Sequence, residues 1–189
     1  TGDCGVISAC EYQTVQWRIW DDTGVDVSTI HIIVDGVHYY YPDHMTYIGD
    51  VLTFTPTTPW THGQIVNFTL AGAMDYEGCP MFGAPSCWFQ VDLEPPALVS
   101  ITPECETLLE DTVFHGAWHV TDDVAGIDAV NSFFTVNGIS FPMSSPYVSF
   151  TGTTSDGTFH IDGTFRQLGF LTSDSAVVCL HVQDLVTTP

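Results

Sequence analysis

Lysine is absent from this 189-residue chain, and arginine occurs only twice, as Arg18 and Arg166. Against them stand 23 aspartates and glutamates, for a formal net charge of −21. Without clustered cations a protein cannot neutralise phosphates or release their counterions, so no nucleic-acid partner is expected. Docking on anionic lipid needs the same residues and is disfavoured on the same ground. No Walker lysine or glycine-rich phosphate loop is present, which argues against nucleotide chemistry. No apolar run reaches the roughly 18–20 residues of a membrane-spanning helix, so no membrane insertion is expected. The first residue is Thr1 and no signal peptide is recognisable; a mature or excised piece is expected. Sustained 3.6-residue periodicity is missing as well, which argues against helix. A G-x-S-x-G elbow and an HExxH helix are also missing, and the reading is that the chain is not an enzyme.

What is present is enough to build a core, with 44% hydrophobic and 13% aromatic residues. Six cysteines without any lysine point to an oxidising, extracellular setting. Their spacing, with no CxxC pair, is unlike a zinc site. Cys79 and Cys87 flank a short Pro/Gly loop and form the simplest expected bridge. Cys105 with Cys179 would then tie the start of the second half to its last strand, worth about 4 kcal/mol on the chain-entropy account. Cys4 with Cys10 follows by elimination, and other connectivities stay open.

The chain repeats itself once. WDDTGVD (20–26) recurs as TDDVAGID (121–128), and IIVDGVHYY (32–40) as FFTVNGISF (133–141). Trp17 matches Trp118, Gly36 matches Gly138, and a looser alignment sets Asp75 beside Asp184. A period of about one hundred residues is the size of a domain and too long for a solenoid unit. Two tandem domains follow, residues 1–94 and 95–189, joined at the stiff Pro95–Pro96 pair.

Within each copy the signals are all β. Asp35–Gly36 and Asn137–Gly138 lie between alternating apolar runs, the strongest short-range hairpin signal. Short β-branched or aromatic runs, among them Thr14–Trp20, Val51–Thr55, Gln64–Leu70 and Cys87–Val91, recur every 8–12 residues. About seven such strands per copy predict an immunoglobulin-like β-sandwich, with Trp17 and Trp118 on the second strand filling each core.

The succession of DDxxGVD, a V-D/N-G hairpin, a TFTP strand and a D-x-x-PP exit resembles bacterial immunoglobulin-like tandem repeats. The resemblance runs over both copies almost end to end. It implies an extracellular scaffold or adhesive role in a large surface or filament-forming protein, and it carries no active site. The chain departs from the usual pattern in its missing lysine, its six cysteines and its shortened second copy.

That shortening is the most informative irregularity. The first copy continues past Asp75 through the Cys79–Cys87 loop into CWFQVDLE (87–94), whereas nothing in the second copy matches this last strand. A sandwich without its final strand exposes an apolar slot and unpaired backbone groups. Donor-strand complementation from a neighbouring copy would fill it and, being head to tail, would build a filament. Gly5, Val6, Ile7, Ser8, Ala9 and Cys10 form one candidate donor, although they are also needed as the first strand of their own domain. Two other accounts stay open: a slice of a longer repeat protein whose next residues supply the strand, and a naturally reduced sandwich. The expected partners are therefore copies of the chain or neighbouring repeats. The alternative function is a carbohydrate-binding or calcium-dependent adhesion module of a secreted or cell-surface protein.

Other candidate sites are weaker. Asp21, Asp22 and Asp26 recur as Asp122, Asp123 and Asp128, and with Asp92 and Glu94 they are candidate Ca²⁺ ligands, since calcium takes six to eight oxygens from irregular loops. The competing reading is that these aspartates cap turns through their own backbone. No other cofactor is expected. Asn67-Phe68-Thr69 is a glycosylation sequon, and Thr57, Thr58, Thr187 and Thr188 lie in Thr/Pro-rich stretches suited to O-glycans. The eight histidines, His115 and His119 included, read as surface residues, and the Tyr39–Tyr41 and Trp88–Phe89 runs as either a sugar platform or a subunit contact.

Overall fold

Turn residues spaced every few positions break the apolar runs into short strands. A computed structural model describes residues 4–107, 112–170 and 175–186, and among these residues there are fifteen strands and no helix. The chain divides into two compact units, the first running to Leu93 and the second from Glu94 to Leu185.

Unit 1 contains β1 (Val6–Ser8), β2 (Val15–Arg18), β3 (Val25–Val34), β4 (Val37–Tyr40), β5 (Met45–Ile48), β6 (Val51–Phe54), β7 (Ile65–Asp75) and β8 (Ser86–Val91). They form a five-stranded sheet in the order β1-β8-β7-β3-β4 and a three-stranded sheet in the order β2-β6-β5. Unit 2 contains β9 (Ala97–Thr102), β10 (Val113–Thr121), β11 (Ile127–Val136), β12 (Ile139–Pro142), β13 (Val148–Gly152), β14 (Asp156–Thr164) and β15 (Val178–Asp184). Its sheets run β13-β14-β10-β9 and β12-β11-β15. Each unit is thus a two-sheet immunoglobulin-like sandwich.

The hairpin signals form as the sequence requires. Asp35 (φ 48°) and Gly36 (φ 79°) join β3 to β4, and Asn137 (φ 47°) and Gly138 (φ 84°) join β11 to β12. Both pairs of positive φ match a type I′ turn, whose twist suits the flanking strands. Val34 pairs with Val37 and Val136 with Ile139, so these hairpins fix equivalent registers in the two units.

Alternation then sets the cores. On β2, Val15 and Trp17 are buried while Gln16 and Arg18 are exposed, and on β10 Phe114, Gly116, Trp118 and Val120 point inward. Trp17 meets Phe68 edge-to-face at 5.5 Å, and Trp118 meets Phe134 at 4.8 Å. Around them close Ile30, Ile32, Leu52, Phe54, Val66 and Phe89 in unit 1, and Phe134, Phe159, Ile161 and Leu168 in unit 2.

The disulfide expectations are corrected. Cys87 is bridged to Cys4, not to Cys79, with the two Cα atoms 5.4 Å apart. The cause is a non-local pairing: β1 lies parallel to β8, with Val6 opposite Phe89 and the Gly5 N–H donating to the Trp88 carbonyl at 2.8 Å. That register carries Cys4 alongside Cys87. Cys10, Cys79, Cys105 and Cys179 are free thiols, so neither the Cys4–Cys10 nor the Cys105–Cys179 bridge is formed.

Candidate functional site at the edge of the second sandwich

Register lets the two units be laid on each other strand by strand. Val34 pairs with Phe68 and Ile32 with Leu70; in the second unit Val136 pairs with Val178 and Phe134 with Leu180. At the far end Val25 pairs with Asp75 and Ile127 with Asp184. The next amide behaves alike in both, since Tyr76 N–H reaches the Gly24 carbonyl and Leu185 N–H the Gly126 carbonyl. β15 is therefore the counterpart of β7.

Their surroundings differ. β7 lies between β3 and β8, whereas β15 pairs only with β11 and forms the edge of its sheet. Among the described residues of unit 2 no strand stands where β8 stands in unit 1. The packing records the difference. Val66, Phe68 and Leu70 of β7 are buried, while their counterparts Ala176, Val178 and Leu180 are only half-buried. β7 begins at Ile65, but residues 175–177, which match 65–67, lie outside any strand, and Val177 is 65% exposed. In unit 1 the core-facing residues of the last strand are Phe89 and Val91, both buried.

Between the two sheets of unit 2, at this edge, lies an open apolar cleft of about 320 Å³. Leu98, Trp118 and Val120 line one side, and Leu180 and Val182 the other. Leu98 is 58% exposed although it faces the sandwich opening. A strand that pairs on one side only and apolar side chains that are half-buried or exposed, Leu98, Leu180 and Val182, coincide here.

The candidate donor segment is engaged within its own unit. Val6–Ser8 form β1, Ser8 is buried, its carbonyl accepts the Asp92 N–H, its hydroxyl donates to Gln13 Oε1 at 2.8 Å, and Cys4 is bridged to β8. To serve as a donor it must first leave this seat.

The repeated aspartates act as turn caps. Asp21 Oδ1 accepts the Thr23 hydroxyl at 2.7 Å and the Thr23 N–H at 2.8 Å, and these bonds, the hydroxyl first, hold its carboxyl below the usual range. Asp26 caps Ser28 in the same way, and Asp128 accepts from Val130 and Asn131. Asp122 is buried: Oδ1 accepts the Gly126 N–H at 2.6 Å, and Oδ2 has no partner among the described residues. Asp22, Asp123 and Glu94 are exposed, and Asp92 is buried with Oδ1 3.3 Å from His62 Nδ1. These eight carboxylates nowhere bring three ligand atoms together among the described residues. The triad that does converge, with ligand atoms within 4.8 Å of one another, is Asp75, Glu77 and Cys79. Asp75 Oδ1 there accepts the Glu77 and Cys79 N–H groups, and its charge is the main cause pushing the Cys79 thiol up. The i, i+2, i+4 spacing in DYEGC is its sequence signal.

Asn67 is exposed on β7 opposite Trp88, and Thr57 and Thr58 are exposed in a loop. Thr187 and Thr188 lie outside the described residues. Surface histidines pair locally: His115 Nδ1 with Asp162 and His119 Nε2 with Asp156, each at 2.7 Å, while His31 stacks on Tyr40. Tyr40 and Trp88 point outward and Phe89 inward, so the aromatic runs split between core and surface.

No protein-family model matches the chain, and no curated protein matches it. Among solved structures it is similar to a chimeric titin Z1Z2-Z1Z2 tandem, with TM-score 0.31 and 10% identity over 98% of this chain and 95% of that one. It is also similar to the chitinase ChiA74 from Bacillus thuringiensis, with TM-score 0.29 and 9% identity over 99% of this chain and 26% of the chitinase. The described residues contain no helix long and apolar enough to cross a membrane.

Proposed function

We propose that this chain is a structural segment of an extracellular filament or surface array, built head to tail by completing the second sandwich with a strand from a neighbouring polypeptide. The observation that carries this reading is the unpaired edge of β15 beside its apolar cleft, at the position where β7 of unit 1 is covered by β8. A contact between an acceptor edge on one subunit and a donor on the next does not close on itself, so it propagates. A net charge of −21 keeps such a surface soluble and repels other acidic surfaces. The contact itself would rest on main-chain pairing and apolar burial, because two arginines cannot balance charge across it. The Cys4–Cys87 disulfide suits an oxidising compartment outside the cell. The role is mechanical and non-catalytic.

Electron microscopy of the native material, beside sedimentation of the purified chain over a wide concentration range, tests this. Ordered fibres or concentration-dependent chains of subunits are expected. A sharply melting monomer at every concentration, with no fibre in native material, would overturn it.

A further inference from the structure

We propose that the β15 edge accepts, in antiparallel register, a segment patterned on residues 80–91 and delivered by another chain built from this same repeat. The inference rests on the reading that unit 2 is completed in trans, and it names the ligand and its register.

The template is unit 1 itself. There β8 places Ser86 opposite Thr69, Cys87 opposite Phe68 and Phe89 opposite Val66. Carried across the equivalent hairpins, those acceptor positions become Cys179, Val178 and Ala176. The incoming strand therefore sets a Ser86-type residue opposite Cys179, a Cys87-type residue opposite Val178 and a Phe89-type residue opposite Ala176. Its large inward residue covers the edge where Ala176 and Val178 are half-exposed. Strand order would then extend through residues 175–177, as it does through 65–67.

The cleft identifies what must precede that strand. In unit 1 the Leu70 N–H donates to the Pro85 carbonyl at 3.0 Å and the Met81 N–H to the Ala73 carbonyl at 2.8 Å, and Met81 packs on the core. Leu180 and Val182 are the counterparts of Leu70 and Ala73, and both line the cleft. A Met81-type side chain, six residues ahead of the Cys87-type position and eight ahead of the Phe89-type position, fills it; the flexible thioether suits an irregular gap. Residues Pro80–Val91 carry no charge, which fits a partner bound against a surface of strongly negative net charge.

The experiment uses the full chain and a synthetic peptide of residues 80–92 with Cys87 replaced by serine. Saturable one-to-one binding to the monomeric chain is expected, with a rise in the melting temperature of unit 2 and new exchange protection at residues 176–180. A peptide carrying Phe89→Asp should bind about tenfold or more weakly, because it would bury a charge without a partner. A peptide carrying Met81→Asp should lose affinity by the same route. No saturable binding, or equal binding by the Asp-substituted peptides, overturns the inference. Protection of β15 through a symmetric β15–β15 dimer that the peptide cannot displace also overturns it. Fibres that form while the peptide neither binds nor competes would sink this ligand and leave the fibre reading standing. Peptide binding without fibres would do the reverse.

Discussion

Units 1 and 2 fold the same six strands, β2 to β7 and β10 to β15, with the same hairpin turns and the same buried tryptophan, yet they differ in what covers the edge of the sheet that holds β7 or its counterpart β15. In unit 1 two strands lie beyond β7, and the outer one is held by a disulfide across a sequence separation of 83. In unit 2 the first strand goes instead to the opposite sheet, where β9 pairs with β10, and nothing among the described residues lies beyond β15. The comparison separates what the repeat needs in order to fold from what it needs in order to be covered. A Trp-centred core forms in both units. Full burial of the β7-type strand occurs only where a β8-type strand lies beside it. An edge of this kind either finds a partner or becomes an aggregation site.

The comparison can be broken most severely by removing the closing strand's anchor from unit 1. Phe89→Ala should cost unit 1 about 3–5 kcal/mol, the range for deleting a fully buried Phe, and should raise exchange along β7 toward that of β15. Denaturant unfolding followed by a probe in each unit would read this, and unit 2 should not move. Cys4→Ser should cost unit 1 about 2–5 kcal/mol through the lost cross-link and free β1 from its seat. Chemical denaturation with and without reductant would give the same difference for the parent chain and none for the variant.

A finer prediction uses matched positions. Leu70→Ala should cost about 2–5 kcal/mol, as for a buried leucine, and Leu180→Ala less than about 2 kcal/mol, because that side chain already lies half in water. Binding of the residue 80–92 peptide should widen the cost at Leu180. The smallest effect concerns chemistry at the start of the closing loop. Asp75 raises the Cys79 thiol mainly through its charge, so less thiolate is present at a given pH. Asp75→Asn should therefore speed alkylation of Cys79 near pH 8, while an unchanged rate would discount the charge of Asp75 as the cause.

Much of this was legible in the residues. Asp35–Gly36 and Asn137–Gly138 announced their turns because positive φ restricts the choice of side chain, and Trp17 and Trp118 announced the core by alternation. The internal repeat made the two matching units visible, with Trp17 against Trp118 and Gly36 against Gly138. What could not be read was non-local. The Cys4–Cys87 bridge depends on β1 running parallel to β8, and nothing near either cysteine encodes that choice. The same holds for β9, which goes to the opposite sheet from β1 although both open their units. Clustering of aspartates in sequence is also what a pair of capped turns looks like. Asp21, Asp26 and Asp128 each turn back on residues two or three positions ahead.

The most direct test of the open edge is amide hydrogen exchange along residues 176–184 in the dispersed chain and in its assembled native form. The account predicts fast exchange in the dispersed chain at the β15 amides that point away from β11, slow exchange at the matching β7 amides, and loss of that difference on assembly. Slow exchange at β15 in a dispersed monomer would mean that the edge is already covered, and would contradict the account.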